Sequence, residues 1–262
     1  MEGNFFKLKS NKMKQYIGWS MVVISSLIAF SCSKGNSTAG LPASSVSLTI
    51  VNLINGSHGF YTNFSPQAAK GSEDTLKWYR SAANVSFGNF LEFSSYTGMQ
   101  ALSIVSETDT LESEWSGVLS LPIWSVQTIF FGGPDTSQID TLLTTDQITY
   151  YATTDSVIGV RFVNMAWASN PVSVDIQGAG SAPLVASLSY KGATAFMSFP
   201  ATSESPSSGQ YTFEFRVASS GALLASYQYS GFQEFQSATV VLGGNANVGG
   251  GGLYAYFIWN EF

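Results

Sequence analysis

Beyond residue 45 the chain is a succession of short runs in which apolar and polar residues alternate, broken every few positions by Gly, Ser, Asn or Pro. Tyr211-Thr212-Phe213-Glu214-Phe215-Arg216-Val217 shows the pattern most cleanly: aromatic and aliphatic side chains fall on one face, and Thr212, Glu214 and Arg216 on the other. A period of two is the signature of a half-buried strand. No segment of this region carries an apolar period of 3.6 over a useful length, so an all-β protein is predicted.

The runs come in two sets. Val46–Ile54 (VSLTIVNLI) resembles Val157–Ala166 (VIGVRFVNMA), and both contain Val-Asn, at Val51-Asn52 and Val163-Asn164. Val85-Ser86-Phe87 followed by Phe90–Phe93 parallels Leu188-Ser189-Tyr190 followed by Phe196–Phe199. The stretch from Gly98 to Gly132-Gly133 then runs beside Gly209 to Gly243-Gly244 without a change of length, aligning Thr128-Ile129-Phe130-Phe131 with Thr239-Val240-Val241-Leu242. Each copy closes on one more strand-like run, Leu142–Tyr151 and Leu253–Phe262. About seven alternating runs per copy predict two tandem immunoglobulin-like antiparallel β-sandwiches, 46–153 (diverged) and 154–262, each sheet with one buried face.

Four segments of the second copy, Val160-Arg161-Phe162-Val163-Asn164, Val172-Ser173-Val174-Asp175-Ile176, Leu188-Ser189-Tyr190 and Gly209-Gln210-Tyr211-Thr212-Phe213, resemble the bacterial secreted domain catalogued as "domain of unknown function 4397". The first copy is similar, with a long insertion around Asn63–Asn84. The resemblance covers nearly the whole chain after the N-terminal segment. It implies a cell-envelope lipoprotein of unassigned role with tandem domains, and its motifs are structural, not catalytic.

The N-terminus changes the picture most. Lys7, Lys9, Lys12 and Lys14 precede an apolar run from Tyr16 to Phe30. That run is short for a membrane span, which takes about 20 apolar residues, and has the length of a signal-peptide core. Met13 is an alternative start within it. The segment ends Ala29-Phe30-Ser31-Cys32, resembling a lipobox, so residues 1–31 are expected to be a lipoprotein signal peptide and Cys32 to be acylated. Cys32 is the one cysteine of the chain. Residues 32–45, mostly small and polar, form a tether. Loss of residues 1–31 removes four Lys and one Glu from eleven basic and seventeen acidic residues, leaving seven against sixteen and a net charge of −9. Lipid rather than surface charge would then hold the protein at the outer membrane, where more than one acyl chain gives stable anchoring.

Composition narrows the chemistry. Charged residues make up 11% of the chain and the pI is about 4.7; an acidic chain without a basic patch does not favour nucleic acid. One His and one Cys argue against zinc sites and disulfide frameworks. His58, in the Gly-rich Asn55–Phe60 loop, reads as a solvated loop residue, not a catalytic base, since no Gly-x-Ser-x-Gly elbow accompanies it. Glu107, Asp109, Glu112 and Glu114 could supply paired carboxylates, but a strand–turn–strand segment explains acidic residues equally well. Asp135 and Asp140 lack calcium-loop spacing. No cofactor, metal or enzymatic activity is expected.

Two leads remain. Trp78, Tyr79 and Trp167 are candidate ligand-contact aromatics, because a flat aromatic face suits a sugar ring; packing over a sandwich end or an interdomain contact is the favoured alternative. Asp74-Thr75-Leu76, Asp109-Thr110-Leu111, Asp140-Thr141-Leu142 and Asp155-Ser156-Val157 repeat an Asp-Thr/Ser-aliphatic triplet at four of seven Asp, where composition predicts about one. It resembles an O-glycosylation signal, making Thr75, Thr110, Thr141 and Ser156 candidate sites; an Asp-capped turn feeding a strand is the structural alternative. The expected role is a non-enzymatic envelope module for binding or scaffolding, its membrane contact made through the N-terminal lipid and its partner a glycan or an envelope protein. Glycan binding in a polysaccharide-uptake system and a fimbrial or adhesive subunit that donates its terminal strand are the alternatives.

Overall fold

The computed structural model describes residues 45–64, 84–109, 112–152, 154–180, 182–201, 210–230, 236–248 and 252–260. Among them there is no helix; sixteen strands form four sheets. Ser44–Phe262 forms one compact unit. Strands of the first half pair only with one another, and so do those of the second.

In the first half, β1 (Ser45–Ile54), β3 (Phe90–Tyr96), β6 (Val126–Asp135) and β7 (Gln138–Thr145) make one sheet in the order β3-β1-β6-β7. β2 (Phe60–Asn63), β4 (Gly98–Ser106) and β5 (Ser113–Leu121) make the other. In the second half, β8 (Val157–Asn164), β11 (Gly192–Ala193), β12 (Met197–Pro200), β15 (Ser237–Gly244) and β16 (Leu253–Asn260) form a sheet in the order β11-β8-β15-β16, with β12 also on β8. β9 (Val172–Ile176), β10 (Val185–Leu188), β13 (Gln210–Val217) and β14 (Leu223–Ser230) form the fourth, ordered β10-β9-β13-β14.

The central ladders of the two halves follow the same pattern. β1 pairs with β6 in parallel, setting Val51 opposite Phe130 and Asn52 opposite Phe131. β8 pairs with β15 in parallel, setting Val163 opposite Val241 and Asn164 opposite Leu242. These are the equivalences that the sequence alignment gives. The Gly-Gly pairs are equivalent as well: Gly133 and Gly244 have φ of 146° and 102°, and a Cβ at either would strike a backbone carbonyl of the facing chain, of Gln138 or Gly252. Only glycine fits there without displacing backbone.

Two expectations are corrected. The sheets are not uniformly antiparallel, because each half contains one parallel ladder at its centre. Nor does every sheet have one buried face. β15 is buried along its whole length, and so are Leu53, Ile54 and the residues Thr49–Asn52 of β1 and Ile158–Asn164 of β8. Alternate residues of these strands enter different cores. Leu48, Ile50, Ile129 and Phe131 meet Leu102, Ile104, Leu119 and Leu121 of the opposing sheet. Ile158, Val160, Phe162, Val240 and Leu242 meet Phe213 and Phe215. A third cluster joins the halves: Val51, Leu53 and Phe130 against Val163, Met165, Val241 and Ile258. The continuous apolar runs VSLTIVNLI and VIGVRFVN are the sequence correlate, since strands covered on both faces lose strict alternation.

The Val-Asn step also acquires a mechanism. Asn52 accepts from the Ile54 N–H (3.1 Å) and donates to the Val85 carbonyl (2.8 Å) and Ser57 Oγ (3.3 Å). Asn164 accepts from the Ala166 N–H (3.1 Å) and donates to the Leu188 carbonyl (3.1 Å) and Ser169 Oγ (3.1 Å). Each buried amide thus shapes the turn that ends its strand and ties it to the crossing segment, satisfying polar groups that would otherwise be costly to bury.

Candidate functional site

The third cluster is built from equivalent residues of the two halves: Val51 and Val163, Leu53 and Met165, Phe130 and Val241. Glycine lets these residues approach closely on both sides: a Cβ at Gly132 would sit 3.0 Å from Met165 Cε, and one at the equivalent Gly243 3.2 Å from Leu53 Cδ2. The contact is a pseudo-twofold face-to-face packing of the two central sheets.

One position breaks the symmetry. Where the first copy has Thr49, the second has Arg161, 2% exposed in an otherwise apolar strand. Its guanidinium spends all five N–H donors internally. Nε donates to Thr239 Oγ1 (2.7 Å). Nη1 donates to Asp146 Oδ1 (2.6 Å) and Thr144 Oγ1 (3.3 Å). Nη2 donates to Asp146 Oδ2 (2.9 Å) and Thr128 Oγ1 (3.3 Å). The group also lies over the Phe196 ring, 4.9 Å from its centre. Asp146, with its side chain fully buried, further accepts from Thr128 Oγ1 (2.5 Å), Thr144 Oγ1 (2.8 Å) and Asn260 Nδ2 (3.4 Å). A bidentate pair with every remaining site satisfied is the geometry in which a buried ion pair is tolerated.

Beside this network opens a cleft of about 520 Å³ between the end of β7 with the chain that follows it and the segment joining β11 to β12. Thr144, Gln147, Thr149 and Thr194 supply hydroxyl and amide groups, Ile148 and Phe196 apolar surface, and Arg161 part of the floor. Because the guanidinium is neutralised and fully engaged, the cleft offers a neutral polar lining and no free cation. It suits uncharged hydroxyl-rich or peptide-like groups better than a phosphate or carboxylate.

The residues singled out from sequence are scattered. Trp167 is half-buried and meets Tyr190 edge-on with centroids 5.8 Å apart. Its backbone bonds to Gly244 and Ala246. Tyr190 in turn donates to Asp140 Oδ2 of the first half (2.9 Å), which, after burial, raises its phenol pKa. Trp167 therefore belongs to the packing beside the junction between halves. Trp78, Tyr79, Thr75 and Thr110 lie outside the described residues, as do Cys32 and the signal segment. Thr141 is half-buried in β7, opposite Phe131. Ser156 has φ of 43° in a turn where Asp155 accepts from the Ala152 N–H (3.1 Å).

His58 is exposed in the turn after β1. Glu107 accepts from the Asn84 side chain, while Glu114, on β5, has its carboxyl pKa raised by burial. These acids flank the β4–β5 turn, and the Glu107 N–H donates to the Gly59 carbonyl, next to His58 (3.3 Å). No group of three or more His, Cys, Asp or Glu could hold a metal among the described residues. The role of Arg161 went unrecognised in the sequence; a charged residue inside an apolar strand was its signal. The cleft had none, since its walls come from two coil segments far apart in the chain.

The structure defines an all-β, sandwich-like protein whose two similar halves are welded by a charged pair beside a neutral cleft. No protein-family model matches this chain, and no curated protein matches it either.

Proposed function

We propose that the chain is a lipid-anchored, non-enzymatic module of the bacterial outer membrane. Its two tandem immunoglobulin-like sandwiches, domains of the "unknown function 4397" type, serve as one rigid body for binding or scaffolding. The observation that carries this reading is the position of the single cysteine, Cys32, directly after a signal-like segment and thirteen residues before β1 begins. The family resemblance supports the domain assignment, and two residues of its motifs, Arg161 and Asn164, have structural tasks here. In cells, wild-type protein is expected in the outer-membrane fraction and Cys32→Ala in the soluble periplasmic fraction; unchanged fractionation of the variant defeats the proposal.

The neutral cleft favours a glycan as the ligand over an anionic partner. Hydroxyl and amide groups beside Phe196 match a sugar's hydroxyls and its C–H face. Affinity electrophoresis against a panel of neutral polysaccharides is expected to show retardation that Phe196→Ala weakens. Equal mobility on every polysaccharide removes the glycan reading and leaves the scaffold reading standing.

A further inference from the structure

The first half ends in an exposed apolar tip. The turn Pro122-Ile123-Trp124-Ser125 follows β5, and Ile123 and Trp124 are 61% and 78% exposed. Beside it, on the outer face of β4 and β5, Met99 and Val118 are 69% and 62% exposed. Met99 pairs with Ser120 and Ala101 with Val118, making Met99 and Val118 diagonal cross-strand neighbours. Trp124 has φ of 59°, a conformation uncommon for a large side chain, and its indole is displayed to solvent. The turn is locally built, with Ser125 donating to the Pro122 carbonyl through both its backbone N–H (3.3 Å) and its hydroxyl (2.7 Å).

The place of this tip in the fold matters more than its hydrophobicity. Ser47 donates its N–H to the Ser125 carbonyl (3.2 Å) and pairs with Val126. Ser45 pairs with Tyr96, two residues before the β4 strand that carries Met99. The chain from Cys32 therefore enters the body at the tip itself. Thirteen residues reach at most about 47 Å when fully extended, so an acylated Cys32 keeps the tip within that distance of the membrane and raises its local concentration there.

Charge points the same way. Ser94–Ala101 and Val118–Gln127, which build this end, contain no Asp, Glu, Lys or Arg, although sixteen acidic residues follow residue 31. The repulsion that keeps the rest of an acidic protein from an anionic bilayer is absent here.

We infer that Ile123 and Trp124, flanked by Met99 and Val118, form a second membrane contact that inserts into the interfacial region of the bilayer anchoring Cys32. Tryptophan partitions to that depth because its ring is apolar and its N–H polar. A contact too weak to bind alone becomes effective when the acyl tether fixes its local concentration. The inference rests on the lipid-anchor reading above.

The test uses full-length lipidated protein reconstituted into phosphatidylethanolamine–phosphatidylglycerol vesicles with brominated acyl chains, which quench tryptophan on contact. Six tryptophans less Trp19 of the leader leave five, so quenching confined to Trp124 is expected to remove roughly one fifth of the emission. Trp124→Phe is expected to abolish that loss, and Ile123→Ser to reduce it. Vesicle flotation is scored in parallel. Protein that floats but shows the same quenching with and without Trp124 overturns the membrane contact alone; protein that does not float overturns the anchor and the contact together. A doubling of mass in detergent that Ile123→Ser reverses, without Trp124-dependent quenching, overturns it in favour of a second copy as the occupant.

Discussion

The pair Arg161–Asp146 gives the sharpest test of how the halves are joined. Asp146→Asn keeps the shape of the side chain and removes its charge, leaving a guanidinium with 2% exposure and no counter-ion. Arg161→Met leaves the mirror problem: a carboxylate with no exposed surface, held only by Thr128, Thr144 and Asn260. Removing one partner of a buried pair costs about 3–5 kcal/mol. At about 2–4 °C per kcal/mol for a chain of this size, each single variant should melt roughly 10 °C lower. The double variant removes both charges. Its methionine lies against Phe130 and Phe196, and its amide can bond to the same threonines. A loss of only about 2 kcal/mol is expected, giving a coupling energy of at least about 3 kcal/mol. Urea unfolding of residues 33–262, followed by far-UV ellipticity and tryptophan emission, measures all four corners of the cycle. Added salt to 1 M should change the coupling little, because the pair is out of reach of solvent ions. Additive single and double effects, or singles within 1 kcal/mol of wild type, would refute the assignment of the pair as the lock between halves.

Further outcomes follow from the buried amides and from the shifted groups. Asn52→Ala and Asn164→Ala each delete three hydrogen bonds and strand a buried carbonyl, of Val85 or Leu188; each should cost about 2–4 kcal/mol in urea unfolding, and near-neutral values would refute the turn-locking role. Burial raises the Glu114 carboxyl above 4.5 in the fold, so ionising it opposes folding as pH rises through and above that value, whereas at lower pH it is protonated in both states. Glu114→Gln should therefore raise the melting temperature at pH 7 and leave it unchanged at pH 3. At the alkaline end, the Tyr256 phenol is pushed up to about 12 by burial and then by Tyr254, so its contribution is intact below pH 10 and is lost between 10 and 12; Tyr256→Phe should flatten that loss.

Local chemistry made the strands legible. Tyr211, Phe213 and Phe215 do enter the core, while Glu214 and Arg216 pair on the opposite face (2.7 Å). Spacing alone aligned Val51-Asn52 with Val163-Asn164 and Gly133 with Gly244, because a buried amide and a positive-φ bulge each demand one residue type. What stayed hidden depends on which surfaces meet. Nothing local to Val51 or Val163 says that they share one core, and the same apolar run would serve a one-faced strand. Parallel pairing was obscured similarly, since β1 and β6 are joined across four intervening strands and no turn signal records their register. The cleft combines coil near Gln147 with coil near Ala195, a juxtaposition fixed only by the packing of the halves. Trp124 escaped notice because Leu-Pro-Ile-Trp reads as the end of an apolar strand; its exposure follows from the turn.

The broken symmetry at the junction explains why a duplicated unit would keep its halves together within one chain. Position for position, Arg161 replaces Thr49, and Asp146 stands where the second copy has Asn260, whose amide receives Thr239 Oγ1 at 2.8 Å. Each half thus contributes one charge of opposite sign to the same buried point. Two first halves packed in the same way would bury two carboxylates without a guanidinium, and two second halves two guanidinium groups without a carboxylate. An unpaired buried charge is penalised by several kcal/mol, so the mixed pairing is favoured over either like pairing even though the apolar contacts are nearly interchangeable. Apolar packing supplies the adhesion between central sheets, and a single salt bridge supplies the choice of partner. The same device leaves the cleft beside it neutral, because the charge that fixes the halves is consumed in fixing them.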